Sequence, residues 1–379
     1  MKRIFTFVLC IIICFAFLPF SISAEVEVDA EVSSAILIES KTGAVLYEKD
    51  ADKCLAPASV TKIMTMLLIM EEIDSGNISY DTMITASANA ASMGGSQVYL
   101  KEGEQFSVRD MLKSITMASA NDCCVAMAEH ISGSEENFVS KMNERAKELG
   151  MKNTFFENTN GLDDTTEKHL TTARDISIMS RELIVNHPDI LQYTSVWMDS
   201  VRGGEFTLTN TNRLVRFYNG ANGLKTGSTS KAGFCISASA ERDGMTLIAV
   251  IMKATTRDSR NDNAKRLLDY GFSNYTCKTF DKQILQNQKV GGSCEDYTDF
   301  IIDSYSVCVP KGKADDIVRE IKINDGITAP ISAGDSVGTV SYTLGGTLLS
   351  EENVKATQDI KKITYFGLAK RLFKEYLGI

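Results

Sequence analysis

Apolar and polar positions along the chain follow two different periods, and the change from one to the other divides the sequence. Residues 35–39 and 44–48 are short apolar runs on either side of a polar stretch, a pattern typical of a β-hairpin. From about residue 59 to residue 184, apolar side chains recur three and four positions apart, as in a helix. Strand patterns then return at residues 223–229, 233–240 and 245–254.

This order predicts one α/β (α+β) domain over residues 25–275, whose sheet takes strands from both ends of the segment and is completed late in the sequence. A helical pattern at residues 262–270 precedes its expected end. A small β-rich domain is predicted over residues 276–360. Its strand signals are the partly alternating segment 299–309 and the segments 337–344 and 347–350 around Gly345-Gly346.

The N-terminus is typical of a secretory signal over residues 1–24. Lys2 and Arg3 precede an apolar run that ends at Phe20, and Ile22-Ser23-Ala24 offers a cleavage site. A retained transmembrane anchor is the alternative, but the run is at the short end of the spanning range, and polar residues end it as in a cleavage region. We therefore expect an exported protein.

Residues 361–379 predict an amphipathic helix at the C-terminus. One face of this helix is apolar and consists of Ile363, Phe366, Ala369, Leu372, Phe373, Tyr376 and Leu377. The other face is basic and consists of Lys362, Lys370, Arg371 and Lys374. A basic amphipathic helix in an exported protein indicates peripheral binding to a membrane surface. The alternative is a helix packed on the β-rich domain.

Composition excludes some classes of function. The chain has 379 residues and a net charge of −9, from 40 Lys+Arg against 49 Asp+Glu, so no nucleic-acid partner is expected. Seven of the nine cysteines lie after the leader, without metal-binding spacing, and the three histidines are scattered. We expect mostly free thiols, no metal and no Ser-His-Asp triad. Cys123-Cys124 lies beside one of the motifs below, so sensitivity to thiol reagents is expected.

Three short motifs carry candidate chemistry. Ser59 and Lys62 are three residues apart at the start of a predicted helix, so the hydroxyl and the amine can meet on one face. A lysine of lowered pKa can activate a serine as a nucleophile. Ser119-Ala120-Asn121 joins two predicted helices with a hydroxyl and a carboxamide. Lys225-Thr226-Gly227-Ser228 places a cation and hydroxyls on a strand, which suits a substrate carboxylate.

The order Ser-x-x-Lys, Ser-x-Asn, Lys-Thr-Gly resembles the signature set of penicillin-binding proteins and serine β-lactamases. A second Lys-Thr-Gly at residues 41–43 precedes the serine and is rejected as the carboxylate site. Further stretches resemble the low-molecular-mass D-alanyl-D-alanine carboxypeptidases: residues 57–65, 119–128, 161–163, 172–175 and 223–234. The resemblance implies an antiparallel sheet flanked by helices, followed by the small β domain and the terminal helix.

Carried over position by position, the resemblance implies a role for each motif residue. Ser59 becomes the acylated nucleophile and Lys62 its general base. Ser119 becomes a proton relay, and Asn121 a contact to the substrate amide. The backbone N–H groups of Ser59 and Ser228 become the oxyanion hole.

The same resemblance assigns substrate binding to the third motif. Lys225 and Thr226 become the carboxylate site, with Gly227 and Ser228 beside them on the strand. The family also uses an arginine after the following strand, which by ungapped spacing falls on Arg260. Arg257 is close enough in sequence to leave that assignment open.

The implied reaction is two-step acyl transfer on a peptidoglycan stem peptide that ends in D-Ala-D-Ala, with β-lactams as inhibitors and no metal or organic cofactor. The implied location is the outer face of the cytoplasmic membrane, in a periplasm or a cell wall. A D,D-endopeptidase remains an alternative. A β-lactamase is less favoured, because the Glu-x-x-x-Asn spacing of class A enzymes is absent after Glu157. A non-catalytic wall-binding protein is disfavoured by the intact motifs.

Overall fold

The structure is a computed structural model that describes residues 26–164, 166–294 and 297–377. The leader predicted over residues 1–24 lies outside these residues. In chain order the strands are β1 Val32–Glu39, β2 Val45–Lys49, β3 Met83–Thr85, β4 Gln105–Ser107, β5 Met198–Val201, β6 Phe206–Thr209, β7 Ala221–Thr229, β8 Gly233–Arg242, β9 Met245–Ala254, β10 Tyr275–Phe280, β11 Gln283–Lys289, β12 Tyr297–Ile302, β13 Tyr305–Pro310, β14 Ile317–Ile323, β15 Ser336–Leu344 and β16 Thr347–Ala356. The helices are α1 Lys62–Asp74, α2 Ala88–Ala91, α3 Val108–Lys113, α4 Asn121–Ser132, α5 Glu135–Glu148, α6 Ala173–Asn186, α7 Leu191–Thr194, α8 Leu214–Phe217, α9 Arg257–Asn274 and α10 Tyr365–Leu377.

A five-stranded antiparallel sheet with the order β2-β1-β9-β8-β7 organises the first domain. The predicted N-terminal hairpin is present, since β1 pairs with β2. On its other edge β1 pairs with β9, with Ile36 opposite Val250. The sheet is therefore completed late in the sequence, as the order of patterns predicts. This domain and the β-rich domain that follows confirm the predicted fold class.

Both faces of this sheet are covered, and β9 shows how. Ile248 and Val250 belong to the larger core, which the helices between β2 and β7 form, while Leu247 and Ala249 belong to the core beneath α9. Successive side chains of a strand point to opposite faces, so a strand buried on both faces becomes a continuous apolar run. The run in residues 245–254 has this origin.

Helix α9 begins five residues earlier than the pattern at residues 262–270 predicts. The Thr256 side chain accepts a hydrogen bond from the Ser259 backbone nitrogen and caps the N-terminus. The first turn carries the buried polar residues Arg260 and Asn261, which interrupt the apolar period. Because these buried residues are polar, the apolar periodicity does not extend to the first turn and does not predict the start of the helix.

The second domain is a five-stranded sheet with the order β11-β12-β16-β15-β14, joined to the first domain through the pair β10–β13. The predicted hairpin around Gly345-Gly346 is present as β15 and β16. The segment 299–309 is not one strand, because β12 ends at Ile302 and β13 begins at Tyr305, in a different sheet. Phe300 and Tyr342 are buried at the centre of this domain.

The C-terminal helix α10 begins at Tyr365 rather than at residue 361 and is described through Leu377. Its large apolar side chains are exposed: Tyr365, Phe366, Leu368, Leu372, Phe373, Tyr376 and Leu377. These side chains do not contribute to the core of the β-rich domain. Among the described helices, none is both long enough and apolar enough to cross a bilayer.

Candidate active site

A cavity of about 230 Å³ lies between the start of α1, the start of α4, strand β7 and the first turn of α9. It is lined by Ser59, Ser96, Ser119, Thr211, Thr226, Gly227, Ser228, Arg257 and Arg260. Three further residues predicted from the motifs, Lys62, Asn121 and Lys225, are buried. Tertiary structure therefore gathers all three motifs at one place.

Ser59 lies in a tight helical turn, Ala58–Thr61, that leads into α1. The preceding residue, Ala58, has a φ of +48°, a left-handed conformation that is unfavourable for alanine. Gly161, with a φ of +84°, packs against this turn, and a Cβ there would lie 1.9 Å from the Ala58 carbonyl oxygen. Strained backbone persists where the surroundings fix it, so these contacts hold Ser59 in one orientation.

Lys62 is the first residue of α1 and is fully buried. Its Nζ lies 2.9 Å from Ser59 Oγ, 2.7 Å from Asn121 Oδ1 and 2.7 Å from the Asn160 carbonyl oxygen. Burial lowers the pKa of Lys62 to about 8. A neutral amine has two N–H donors and one lone pair. When the two N–H groups of the neutral amine donate to the Asn121 side-chain oxygen and the Asn160 carbonyl oxygen, the nitrogen lone pair faces Ser59. The amine can then accept the proton of the Ser59 hydroxyl.

The second motif follows a five-residue π-helical turn, Ser114–Ala118. Such turns are frequent at functional sites. The turn ends at Ser119, which has a left-handed φ of 62° and lines the cavity. Asn121 then begins α4, with its side-chain oxygen on Lys62 and its Nδ2 donating to the Gly94 carbonyl at 2.7 Å. Asn121 therefore orients the amine, in addition to the substrate contact that the resemblance implies.

Four basic side chains, those of Lys62, Lys225, Arg257 and Arg260, lie at or beside the cavity. Lys225 is buried, and its pKa is lowered by burial and by the positive charges of Lys62 and Arg260. Burial and the neighbouring Arg257 lower the pKa of Arg260 to about 10, so its guanidinium stays charged at neutral pH. Both arginines line the cavity, and Arg260 is the buried one of the two. A bound carboxylate would supply the negative charge that this cluster lacks.

Strand β7 passes against the turn Ala58–Thr61, which carries Ser59. A Cβ on Gly227 would lie 2.7 Å from the Ser59 backbone nitrogen, so only a glycine allows this approach. Thr226 lines the cavity, and its hydroxyl donates to the Thr211 hydroxyl at 2.9 Å. Ser228 follows Gly227 on the same strand and lines the cavity together with Ser59.

Several residues of the site were not found from the sequence. Ser96 and Thr211 line the cavity, and the Asn160 carbonyl accepts a hydrogen bond from the lysine of the first motif. Only Asn160 had a signal, since it precedes the Gly161-Leu162-Asp163 stretch on which the resemblance rests. His169 lies behind the site with its Nε2 2.8 Å from Thr61 Oγ1, and burial lowers its pKa to about 4, so it is a neutral structural residue.

The cysteines beside the second motif are not reactive groups. Cys123 and Cys124 are fully buried in α4. Burial raises the pKa of Cys124 to about 12 and raises that of Cys123 as well. Because a thiol must be accessible and ionised to react, this argues against the expected sensitivity to thiol reagents.

A hydroxyl beside a buried amine, with cations placed for a carboxylate, is the arrangement of the penicillin-binding and serine β-lactamase class. The family model described as D-alanyl-D-alanine carboxypeptidase matches residues 20–256, and the model described as penicillin-binding protein 5, C-terminal domain, matches residues 275–362. The chain belongs to the D-alanyl-D-alanine carboxypeptidase family of low-molecular-mass penicillin-binding proteins.

Individual relatives agree with this membership. The chain is 42% identical to the D-alanyl-D-alanine carboxypeptidase DacF of Bacillus subtilis (strain 168), over 99% of both chains. It is 31% identical to DacC of Escherichia coli (strain K12), which covers 93% of this chain and 91% of the relative. Among solved structures, penicillin binding protein 5 from Haemophilus influenzae has 28% identity and a TM-score of 0.80, covering 89% of this chain and 99% of its own. The predicted family is thereby confirmed.

Replacing Gly161 by alanine should slow acylation of Ser59 by roughly ten- to a hundredfold, because the new Cβ displaces the Ala58 carbonyl and with it the turn that carries Ser59. The rate of labelling by a fluorescent penicillin measures this. Gly150→Ala is the matched control, since Gly150 has a φ of +75° but no atom within 4 Å of the added Cβ. Equal labelling rates in the two variants would contradict the steric argument.

The acylation rate should rise with pH. Lys62 is a base only when neutral, and with a pKa of about 8 about a tenth of it is neutral at pH 7. The limiting rate should therefore increase roughly tenfold per pH unit below pH 7 and level off above pH 8 to 9. The limiting rate is measured by stopped flow at saturating β-lactam. Under this condition the rate does not depend on how tightly Lys225 binds the carboxylate, so the pH dependence reports the protonation of Lys62. A profile that is flat, or that falls from pH 6 to 8, would exclude Lys62 as the base.

Proposed function

We propose that this protein is a serine-type D-Ala-D-Ala carboxypeptidase that removes the terminal D-Ala from peptidoglycan stem peptides through an acyl-enzyme on Ser59. The observation that carries the proposal is the 2.9 Å contact between Ser59 Oγ and the buried Lys62 Nζ, in a cavity with cations on its opposite wall. Membership of the carboxypeptidase family supports the same reaction. β-Lactams acylate the same serine, and a relative of known structure, penicillin-binding protein D2 from Listeria monocytogenes, has been solved with ampicillin bound.

In the first step, neutral Lys62 takes the proton of Ser59 as its oxygen attacks the carbonyl of the penultimate D-Ala. The tetrahedral oxyanion is held by the backbone N–H groups of Ser59 and Ser228, and each such donor typically contributes about 3 to 4 kcal/mol to transition-state stabilisation. The proton on Lys62 then passes through Ser119 to the leaving D-Ala amine. This leaves an ester on Ser59 and regenerates the neutral lysine.

In the second step, water attacks the ester. Lys62 again accepts a proton, now from the water. The tetrahedral intermediate then collapses, Lys62 returns this proton to the leaving Ser59 oxygen, and the shortened peptide is released with the serine hydroxyl and the neutral lysine restored. No metal or organic cofactor enters either step. In a β-lactam the leaving group stays tethered to the acyl chain, so the adduct persists.

The free carboxylate of the terminal D-Ala is bound by Lys225, Thr226 and Arg260. Lys225 and Arg260 are buried, so their attraction for a carboxylate is screened less than at an exposed site. The Thr226 hydroxyl lines the cavity beside them. This recognition favours a substrate that ends at the leaving residue, and hence a carboxypeptidase over an endopeptidase that cuts crosslinks.

Intact-mass spectrometry with benzylpenicillin, together with D-alanine release from a stem pentapeptide, tests the reaction. We expect one adduct per chain that lasts for minutes or longer, no adduct in Ser59→Ala, and acylation slowed roughly a thousandfold in Lys62→Ala, since general base catalysis is lost. Ser75→Ala, at the far end of α1, is the control.

Other outcomes would each replace the proposal. Drug consumed without a lasting adduct would indicate a β-lactamase. A drug left untouched, with no adduct, would indicate a wall-binding role. Cleavage of crosslinked dimers in preference to pentapeptides would indicate an endopeptidase.

We further propose that the protein works outside the cytoplasmic membrane and binds its outer surface through α10. The aromatic side chains of this helix support the proposal, since Tyr365, Phe366 and Tyr376 are 83%, 84% and 87% exposed. This exposure argues against the alternative in which the helix packs on the β-rich domain. Aromatic and basic residues on one helix suit an anionic lipid surface.

Co-sedimentation with anionic phospholipid vesicles tests this binding. The mature chain should sediment with the vesicles. The double variant Phe366→Glu, Phe373→Glu should bind at least roughly tenfold more weakly, because it loses two exposed aromatic rings that would enter the lipid interface. Phe217→Glu is the control, since Phe217 is 60% exposed on the first domain and Phe373 is 64% exposed. Equal sedimentation of both variants would remove the helix as the anchor.

A further inference from the structure

Two cysteines face each other at the junction of the two domains. Cys277 lies in β10 and Cys308 in β13, and the antiparallel register places them directly opposite. β10 begins at the residue after α9 ends, so this pair of strands is the first element of the β-rich domain. Both residues are thiols in this structure, and both are half-buried.

The hydrogen-bond pattern of the two strands shows which kind of pair they form. Just before β10, the Lys311 backbone nitrogen donates to the Asn274 carbonyl at 2.8 Å, and these two residues continue the same register. Asn274 and Lys311 therefore form a hydrogen-bonded pair. Hydrogen-bonded and non-hydrogen-bonded pairs alternate along an antiparallel ladder, so Cys277 and Cys308, three positions further along, form a non-hydrogen-bonded pair. In such pairs the Cα atoms are about 4.5 Å apart and the side chains are closest, which is within the range that a disulfide spans.

The neighbouring pair of the same type supports this assignment. Thr279 lies opposite Ser306, and their hydroxyl oxygens are 2.9 Å apart. Side chains of residues that lie opposite each other in the non-hydrogen-bonded pairs of this ladder are therefore in contact. Pro310, which lacks an N–H, also falls at a position where the ladder needs no donor.

The surroundings favour a structural crosslink over a reactive thiol or a metal site. A hydrogen bond with Cys308 and burial raise the pKa of Cys277, so it is not an activated thiolate. The nearby Glu39 carboxylate accepts hydrogen bonds from the Lys41 and Thr42 backbone nitrogens and from the Thr42 hydroxyl. These bonds hold Glu39 in the β1–β2 turn, where its negative charge adds to the rise in the Cys277 pKa.

We propose that Cys277 and Cys308 form an intramolecular disulfide when the protein meets an organic disulfide or a thiol–disulfide oxidoreductase. One cysteine thiolate attacks a sulfur of the oxidant disulfide, forms a mixed disulfide and releases one thiol. The second cysteine thiolate then attacks the protein sulfur of that mixed disulfide and releases the second thiol. The two cysteines lose two protons and two electrons, and the oxidant is reduced to two thiols.

The crosslink stabilises the junction between the two domains and takes no part in the reaction at Ser59. It closes a loop that contains β11 and β12, and it fixes β10 to β13 where the chain leaves α9. The Lys41 Nζ of the first domain also lies 3.3 Å from Thr279 Oγ1 on β10, beside the cysteine pair. Neither cysteine lines the active-site cavity, so acylation is expected to be unchanged.

Incubating the mature chain with oxidised glutathione and analysing it by mass spectrometry tests the proposal. We expect the loss of two hydrogen atoms and a peptide pair joined through Cys277 and Cys308 that separates on reduction. Cys277→Ser should abolish the pair and carry glutathione on Cys308. Cys294→Ser is the control, because Cys294 is exposed in the same domain and should not affect the crosslink.

Thermal unfolding gives a second readout. Oxidation should raise the melting temperature of the β-rich domain by roughly 5 to 15 °C in the wild type and in Cys294→Ser, but not in Cys277→Ser. Penicillin labelling of every form serves as a separate check that the first domain is folded. The labelling result is not used to measure the effect of the crosslink. Glutathione retained on both Cys277 and Cys308 of the wild type, or a crosslink that survives in Cys277→Ser, would overturn the proposal.

Discussion

The site depends on the burial of one amine. Removing a lysine from water is unfavourable by several kcal/mol unless its polar atoms are matched. The match for Lys62 comes from three separate parts of the chain, namely the turn that carries Ser59, the start of α4 at Asn121 and the loop at Asn160. These segments must therefore come together for Lys62 to be buried. The same burial lowers the pKa of Lys62, as the proposed role of general base requires.

The second requirement is close approach of backbone to backbone. Gly227 brings β7 against the Ser59 nitrogen, and Gly161 fits against the strained turn at Ala58. A side chain at either glycine would push the nucleophile away from its donors. The central sheet makes this possible, because β7 is held in register by β8, which is buried between two cores. Rigid packing thus supplies the precision that acyl transfer needs.

Local patterns predicted local structure well and structure formed over long distances less well. The hairpins β1–β2 and β15–β16 follow from short strand patterns around a turn, and the strands β8 and β9 follow from their apolar character. The true start of α9 was missed because its first turn buries Arg260 and Asn261, which are polar. The short strands β5 and β6 were not predicted, because each has only four residues, too few to show a periodic pattern.

The sequence by itself determined the family, the order of the three motifs and the positions of Ser59, Lys62 and Lys225, because the spacing of these residues is a local property. Only the tertiary structure decided what surrounds them. It placed Thr211 and Ser96 in the cavity and gave Asn121 the task of holding the amine. It also brought Cys277 opposite Cys308. Such contacts join residues far apart in the chain, and they exist only once the sheets have fixed which segments meet.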